Sequence, residues 1–490
     1  MSLIPFSRVA AKWAAKTPGR AALVFEGEAL SWEDFEARTN RLARAYAKLG
    51  VGQDDFVTIA LPNGFEFVEA CFAAWKLGAT PQPVSYRLPK IERDAIIDLA
   101  NPSLVVGLNE EVISCPHLPA NYAVDLALSD APLDDVRTAS NVKAVTSGGS
   151  TGRPKLIVMP LPATWDEDFT YFTVPHAETT LVPGPLYHNG PFMWMLAGLC
   201  QGNTVILNRR FDAEETLRLI QDHSVVEMYA VPTMMQRIWR LPEEIRNAYD
   251  LSSLRALTHL AAPCPQWLKQ AFIDWLGPEV IWEIYGGAEG AGGTIIEGSE
   301  WLEHRGSVGR PIPGSGEIGI FDEAGNSLPA GEIGEIFMKA PGGANSTYNY
   351  VGAQSNVREG GWDSLGDMGY MDADGYLYLS DRRTDMILCG GSNVYPAEVE
   401  AAIDACPGVR SSAVIGLPHE DMGNAVHAIV DAPEADLSQE QLLEFLQERL
   451  VTYKLPRSIE FVEEPLRDDA GKVRRKALRE ARLEAMKATV

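Results

Sequence analysis

Apolar residues recur at helical spacing after Ser31. Phe35, Leu42, Tyr46 and Leu49 share one face, and Gly50 ends the pattern. Ser31 ahead of Trp32-Glu33-Asp34 has the composition of a capping-box start. Residues 56–61, Phe-Val-Thr-Ile-Ala-Leu, then read as a buried strand, and residues 65–77 return to a helical pattern closed by Gly78. Short apolar runs at 104–106, 180–182, 204–207, 226–229 and 280–282 predict further strands, several of them separated by helical stretches. Alternating elements with continuous apolar strands imply an α/β fold, its mostly parallel sheets covered by helices. Between 309 and 338 Gly-rich turns and short alternating runs such as Gly334-Glu335-Ile336-Phe337-Met338 predict a small β subdomain.

The texture changes again near Arg382. Residues 396–406 read as a helix, with Pro396 in its first turn and Val399, Ile403 and Cys406 on one face. Strands are expected at 412–415, 426–430 and 459–462, and a charged helix at 473–487. Ser438 with Gln441 repeats the capping pattern ahead of Leu442, Leu446 and Leu450. The chain therefore divides into a large N-terminal domain, residues 1–382, and a small α+β domain, residues 383–490.

Charge narrows the function. A net charge of −25 argues against general nucleic-acid binding, which needs a basic face, and requires that any polyanionic substrate meet a local basic patch. The closest of the six cysteines, Cys389 and Cys406, lack zinc-ligand spacing. No apolar run is long enough to span a bilayer, and the first residues lack a secretory pattern, so a cytoplasmic setting is the expectation.

Four segments carry chemistry. In Thr146-Ser147-Gly148-Gly149-Ser150-Thr151-Gly152-Arg153-Pro154-Lys155, glycines admit close backbone approach to an anion, hydroxyls donate hydrogen bonds, and the cations add charge. Arg-Pro-Lys after Gly152 excludes a Walker loop, and a plain Gly/Ser-rich surface loop has the same composition. The others are Tyr285-Gly286-Gly287-Ala288-Glu289-Gly290, Trp362 to Asp367 continuing to Arg382, and Gly471-Lys472-Val473-Arg474-Arg475.

In order and approximate spacing these four resemble the adenylate-forming superfamily, which includes acyl-CoA synthetases, luciferase-like enzymes and the adenylation domains of nonribosomal peptide synthetases. The resemblance runs over nearly the whole chain. Residues 146–155 and Ala261-Ala262-Pro263-Cys264-Pro265 are most similar to a branch with fatty-acid, bile-acid and steroid-acid CoA ligases. It implies an AMP-forming acid–CoA ligase using ATP, Mg²⁺ and coenzyme A, with a small C-terminal domain that is mobile about a hinge near Thr384. The partners implied are a carboxylic acid, ATP and CoA, with a homodimer as the expected assembly.

The resemblance also distributes roles. Thr146, Ser147, Gly148, Gly149, Ser150, Thr151, Gly152 and Lys155 would hold phosphates. Ala261, Ala262 and Pro263 would line the adenine and Tyr285 would pack on it, Gly286 would join the nucleotide site, Asp367 would take the ribose hydroxyls, and Arg382 would reach the ribose or the phosphates. Glu289 would hold Mg²⁺, and Lys472 would bridge the carboxylate and the α-phosphate. His188 would separate the acyl pocket from the pantetheine path. Asn189, Gly190, Ile284, Gly286 and Gly287 would border a roomy acyl pocket, and Gly390 and Gly391 would flank the pantetheine arm. Three positions depart from the pattern: Ala288 for Thr, Leu260-Ala261 for Gly-Gly, and Thr384 for Lys or Asp. The alternatives are an adenylating enzyme with an amine or carrier-protein acceptor, and a non-catalytic nucleotide-binding regulator.

Overall fold

A computed structural model describes residues 2–109, 115–148, 154–382, 385–389, 392–419, 422–433, 437–468 and 471–488. The largest sheet carries a parallel block in the order Ala21–Phe25, Thr204–Leu207, Thr179–Val182, Glu227–Ala230, Ala256–His259 and Ile281–Gly286. Its strands are largely buried on both faces, and the polar side chains they carry, Thr180, Glu227, Thr258, His259 and Glu283 among them, are buried with the apolar ones. After Gly286 the chain reverses, and Gly293–Glu297 pairs antiparallel with Ile281–Gly286. From there the sheet continues antiparallel through Ser307–Pro311, Leu377–Arg382, Trp362–Met371, Gly334–Lys339 and Glu317–Phe321. The β subdomain expected near 309–338 is this extension.

Phe56–Ile59, Thr80–Pro83, Leu104–Val106 and His117–Leu118 build a second, wholly parallel sheet. The helices Trp32–Lys48 and Phe65–Lys76 pack in the same core, where Trp32, Phe35, Phe72 and Trp75 meet edge to face. Ser31 caps the first helix through Asp34 N–H. A third sheet joins Ala144–Gly148, Pro154–Val158 and Asn349–Val351, all antiparallel.

Residues beyond Ile387 build their own core from Val394, Val399, Ile403, Val414, Val426, Leu442 and Leu446. Ser411–His419 and Gly423–Asp431 form its central hairpin, and Ser458–Val462 pairs parallel with the second of them. The helix Gln439–Gln447 opens on a full capping box between Ser438 and Gln441. The last helix is Arg475–Ala488, and Val473 instead bridges Arg467. No helix among the described residues is long and apolar enough to cross a membrane.

Candidate active site

The parallel strands end together at Val182, Ala230, His259 and Gly286, and the segments that follow them carry most of the candidate residues. Carboxyl ends of parallel strands are where open α/β sheets bind ligands. Tyr285 stands at the end of its strand, and its phenol donates to Asp367 Oδ2 at 2.8 Å. Asp367 lies in register opposite Arg382 on the neighbouring strand. Tyr285, Asp367 and the backbone of Arg382 are thus brought together. The turn at Ala261, Ala262 and Pro263 follows the strand Ala256–His259, and Ala261 adopts φ of 75°. That left-handed conformation suits glycine, so the departure from Gly-Gly is accommodated by strain at Ala261.

Glu289 and Lys155 are organised by a residue that the sequence motifs did not single out. Tyr350 Oη donates to Glu289 Oε1 at 2.6 Å, while its ring face carries Lys155 Nζ at 3.8 Å from the centroid. Lys155 Nζ is itself 3.9 Å from the same carboxylate oxygen. Tyr348, two residues earlier, donates to Asp363. The only sequence signal for both was the alternation Tyr348-Asn349-Tyr350 in a short strand. Ala288 packs against Val145, Ile157 and Tyr348, an apolar setting for the missing hydroxyl.

Thr146, Ser147 and Gly148 close one strand, and Pro154 and Lys155 open the next, with Ser147 in register with Lys155. Thr146 Oγ1 accepts from Gln82 Nε2 at 3.3 Å. Gly149, Ser150, Thr151 and Gly152 lie outside the described residues, as do Thr384, Gly390 and Gly391. Lys143, just before the first of these strands, is 1% exposed and its Nζ has no hydrogen-bond partner among the described residues. Burial pushes its pKa down to about 7, and the charge of Glu289 partly offsets this.

Among the described residues no three His, Cys, Asp or Glu side chains gather as a metal cage, and Glu289 is the one carboxylate placed here that could serve Mg²⁺. This ion keeps water and substrate phosphate oxygens as ligands and needs one or two carboxylates. Glu289 is 8% exposed, and its orientation is set by Tyr350.

On the acyl side, His188 is the N-cap of the helix Asn189–Cys200, and its ring lies 4.7 Å from that of Tyr187. Asn189 Oδ1 is buried without a hydrogen-bond partner among the described residues. A Cβ on Gly190 would stand 2.6 Å from Tyr229 Oη, so the room expected at this glycine is occupied by the Tyr229 phenol. Gly287 is likewise filled, by Leu365 Cδ1 at 2.5 Å from an added Cβ, and Ile284 is part of the main core. An added Cβ on Gly286 would meet Gly292 O at 3.2 Å. Beneath this wall Glu227 accepts from Trp194 Nε1 at 2.7 Å and from Thr180. Burial raises its carboxyl to about 7.

The C-terminal segment reaches the same region. Gly471, with φ of 75°, seats against Thr233, whose Oγ1 would be 3.0 Å from an added Cβ. Thr233 belongs to the helix Pro232–Trp239, directly after the strand Glu227–Ala230 and Val231. Lys472 is therefore delivered next to the carboxyl ends of the parallel strands. Its backbone N–H donates to Asp468 Oδ1 at 2.9 Å.

The family model described as AMP-binding enzyme matches residues 10–348, and that described as AMP-binding enzyme C-terminal domain matches residues 398–472. The chain belongs to the AMP-binding enzymes. Within this adenylate-forming superfamily it falls in the acyl-CoA ligase branch, as an AMP-forming acid–CoA ligase family enzyme. A feruloyl-CoA synthase from Amycolatopsis sp is 32% identical over 478 residues, covering 94% of this chain and 95% of the relative. The long-chain-fatty-acid–CoA ligase FadD13 of Mycobacterium tuberculosis is 29% identical over 480 residues, covering 92% and 93%. The structure of o-succinylbenzoate CoA synthetase from Bacillus subtilis, in complex with its acyl-adenylate intermediate, superposes with a TM-score of 0.81. It is 24% identical and covers 98% of each chain, a likeness of fold.

Proposed function

We propose that this enzyme joins a carboxylic acid to coenzyme A in two steps, with ATP and Mg²⁺, in the cytoplasm. The acid's carboxylate attacks the α-phosphorus of ATP, giving acyl-adenylate and pyrophosphate. The CoA sulfur then attacks the acyl carbon and AMP leaves. The observation that supports this best is the meeting of three sequence-distant groups at one sheet end. They are the Tyr285–Asp367 pair, the Glu289–Tyr350–Lys155 group and the Gly471–Lys472 turn.

In this reading Tyr285 and the 261–263 turn flank the adenine, and Asp367 accepts from the ribose hydroxyls with Arg382 beside it. Thr146 to Lys155 neutralise and orient the phosphate tail. Lys472 holds the attacking carboxylate against the α-phosphate, where positioning and charge neutralisation supply most of the rate. Mg²⁺, when bound, spreads the negative charge of the phosphates, and Glu289 is the residue that would hold it. For the second step residues 383–490 turn about Thr384, Gly390 and Gly391 admit the pantetheine arm, and His188 guards the acyl pocket.

The acid carries a hydrogen-bond donor, and room for its bulk does not come from Gly190 or Gly287, which Tyr229 and Leu365 fill. Asn189 Oδ1, buried and unpartnered, supports the donor, since an unmet buried acceptor favours a ligand that satisfies it. Aryl, polycyclic, long-chain and short acids incubated with ATP, Mg²⁺ and CoA, with thioesters and AMP read by mass, test the proposal. Hydroxylated acids should be turned over fastest. Preference for acetate would remove the acid assignment, and adenylate without thioester would favour a non-CoA acceptor.

A further inference from the structure

The helix Pro232–Trp239 is held near both of its ends by the C-terminal segment. Near its start Thr233 receives Gly471. At its other end the C-cap residue Arg240 donates from Nη1 to the carbonyl oxygen of Arg410 at 2.6 Å, and from Nη2 to that of Val409. At about 1.5 Å of rise per residue the two contacts are roughly 10 Å apart. One contact leaves a swivel, whereas two along a helix also fix the tilt.

Inside the C-terminal segment the two held points are one block. Arg467 donates to Gly471 O at 3.2 Å, to Glu400 Oε2 at 3.2 Å and to Ser412 O at 3.3 Å. Ser412 lies just beyond the two carbonyls that Arg240 grips. Glu400, 3% exposed, also accepts from Val414 N–H at 2.8 Å and from Arg475 at 2.7 Å. Movement of residues 409–410 is therefore transmitted to the turn that carries Lys472.

We propose that Arg240 is a positioning residue for adenylation: its guanidinium clamps the 409–410 carbonyls and so seats the Gly471–Lys472 turn on the helix Pro232–Trp239. The inference rests on the two-step reading above. A planar fork with two donors suits this contact, and a lysine can satisfy only part of it. The clamp has to open before thioester formation, so it favours the first step over the second.

The variants Arg240→Met and Arg240→Lys test this. In Arg240→Met, acid-dependent ATP–pyrophosphate exchange should fall about tenfold through kcat, with KM for ATP little changed. Arg240→Lys should recover part of the loss. Thioester formation from supplied acyl-adenylate and CoA should be maintained or faster in both. Equal losses in the two half-reactions, or full exchange in Arg240→Met, would overturn the proposal. Small-angle X-ray scattering of the ligand-free proteins reads the pose without any reaction. Arg240→Met should give a broader distance distribution than wild type, and superimposable curves would also overturn the clamp. If the wild type exchanges pyrophosphate with none of the acids, the ligase reading fails, and the scattering comparison alone decides the role of Arg240.

Discussion

Tyr285 and Asp367, 82 residues apart in the chain, are joined by one hydrogen bond of 2.8 Å that ties the last parallel strand to the antiparallel extension of the same sheet. Tyr285→Phe keeps the ring and removes this donor. A hydrogen bond to a carboxylate contributes about 1.5–3 kcal/mol. The bond exists before ATP binds, so only part of this energy is felt in binding, and half-saturating ATP in pyrophosphate exchange should rise by up to roughly tenfold, with a smaller change in kcat. A loss confined to kcat would contradict the pairing of this bond with nucleotide binding.

Lys472→Ala separates the two half-reactions. If the ammonium stabilises charge developing at the α-phosphate, adenylation should slow by about 10²–10³. Thioester formation from supplied acyl-adenylate should be largely spared. Comparable losses in both steps would remove Lys472 from adenylation.

Tyr350→Phe leaves Lys155 on the ring face but frees Glu289 Oε1 from its 2.6 Å donor. Groups that orient a metal-binding carboxylate are worth about 10–100-fold in metal affinity. The Mg²⁺ concentration for half-maximal exchange should rise by about tenfold. An unchanged Mg²⁺ titration would mean that Tyr350 serves packing alone.

Glu227 gives a pH signature. Its carboxyl sits at about 7 in the folded protein against 4.5 as the reference value, because burial disfavours the charge. Between these pH values the folded state binds more protons than the unfolded state, so stability falls as pH rises through this window. Glu227→Gln lacks that slope. Relative to the variant, wild type should lose up to about 3 kcal/mol from pH 4.5 to 7 and show no further relative change above it. Thermal unfolding of both proteins at pH 5 and 7.5 measures the difference, and parallel shifts would contradict it.

Ala261 holds φ of 75° without being glycine. The left-handed conformation costs an L-residue about 1–2 kcal/mol, and the extra freedom of unfolded glycine returns part of that. Ala261→Gly should stabilise by about 0.5–1 kcal/mol, read as a higher unfolding midpoint. A clear destabilisation would show that the methyl group makes a contact worth more than the strain.

Local patterns in the sequence were legible where periodicity and capping agree. Ser31 and Ser438 start helices where their capping patterns place them, and the strand Leu104–Val106 matches its apolar run. Boundaries moved where tertiary pairing extends an element: the expected strand at 426–430 is Gly423–Asp431, because its partner Ser411–His419 is equally long. Residues 146–148 and 154–155, read as loop from their glycines and hydroxyls, are strand ends, since Asn349–Val351 pairs with Pro154–Val158. Tyr285 and Asp367 could be placed together by their motifs. Tyr350, Thr233 and Arg240 could not, because each matters through a partner distant in sequence. Gly190 shows the same limit in reverse: absence of a side chain suggested space, and Tyr229 fills it.

The strand Asn349–Val351 also sets an order of assembly. It closes the sheet of Ala144–Gly148 and Pro154–Val158 and supplies Tyr350 to Glu289, yet it is synthesised just over two hundred residues after Ala144. During translation, at about 5–20 residues per second, those two strands wait roughly ten seconds or more for this one. Pairing across such a separation forms late because the intervening loop must be closed first. The nascent chain accordingly acquires its helical core well before Tyr350 can reach Glu289 and Lys155, and on the proposed function any fragment ending before Asn349 should fold in part while failing to bind ATP.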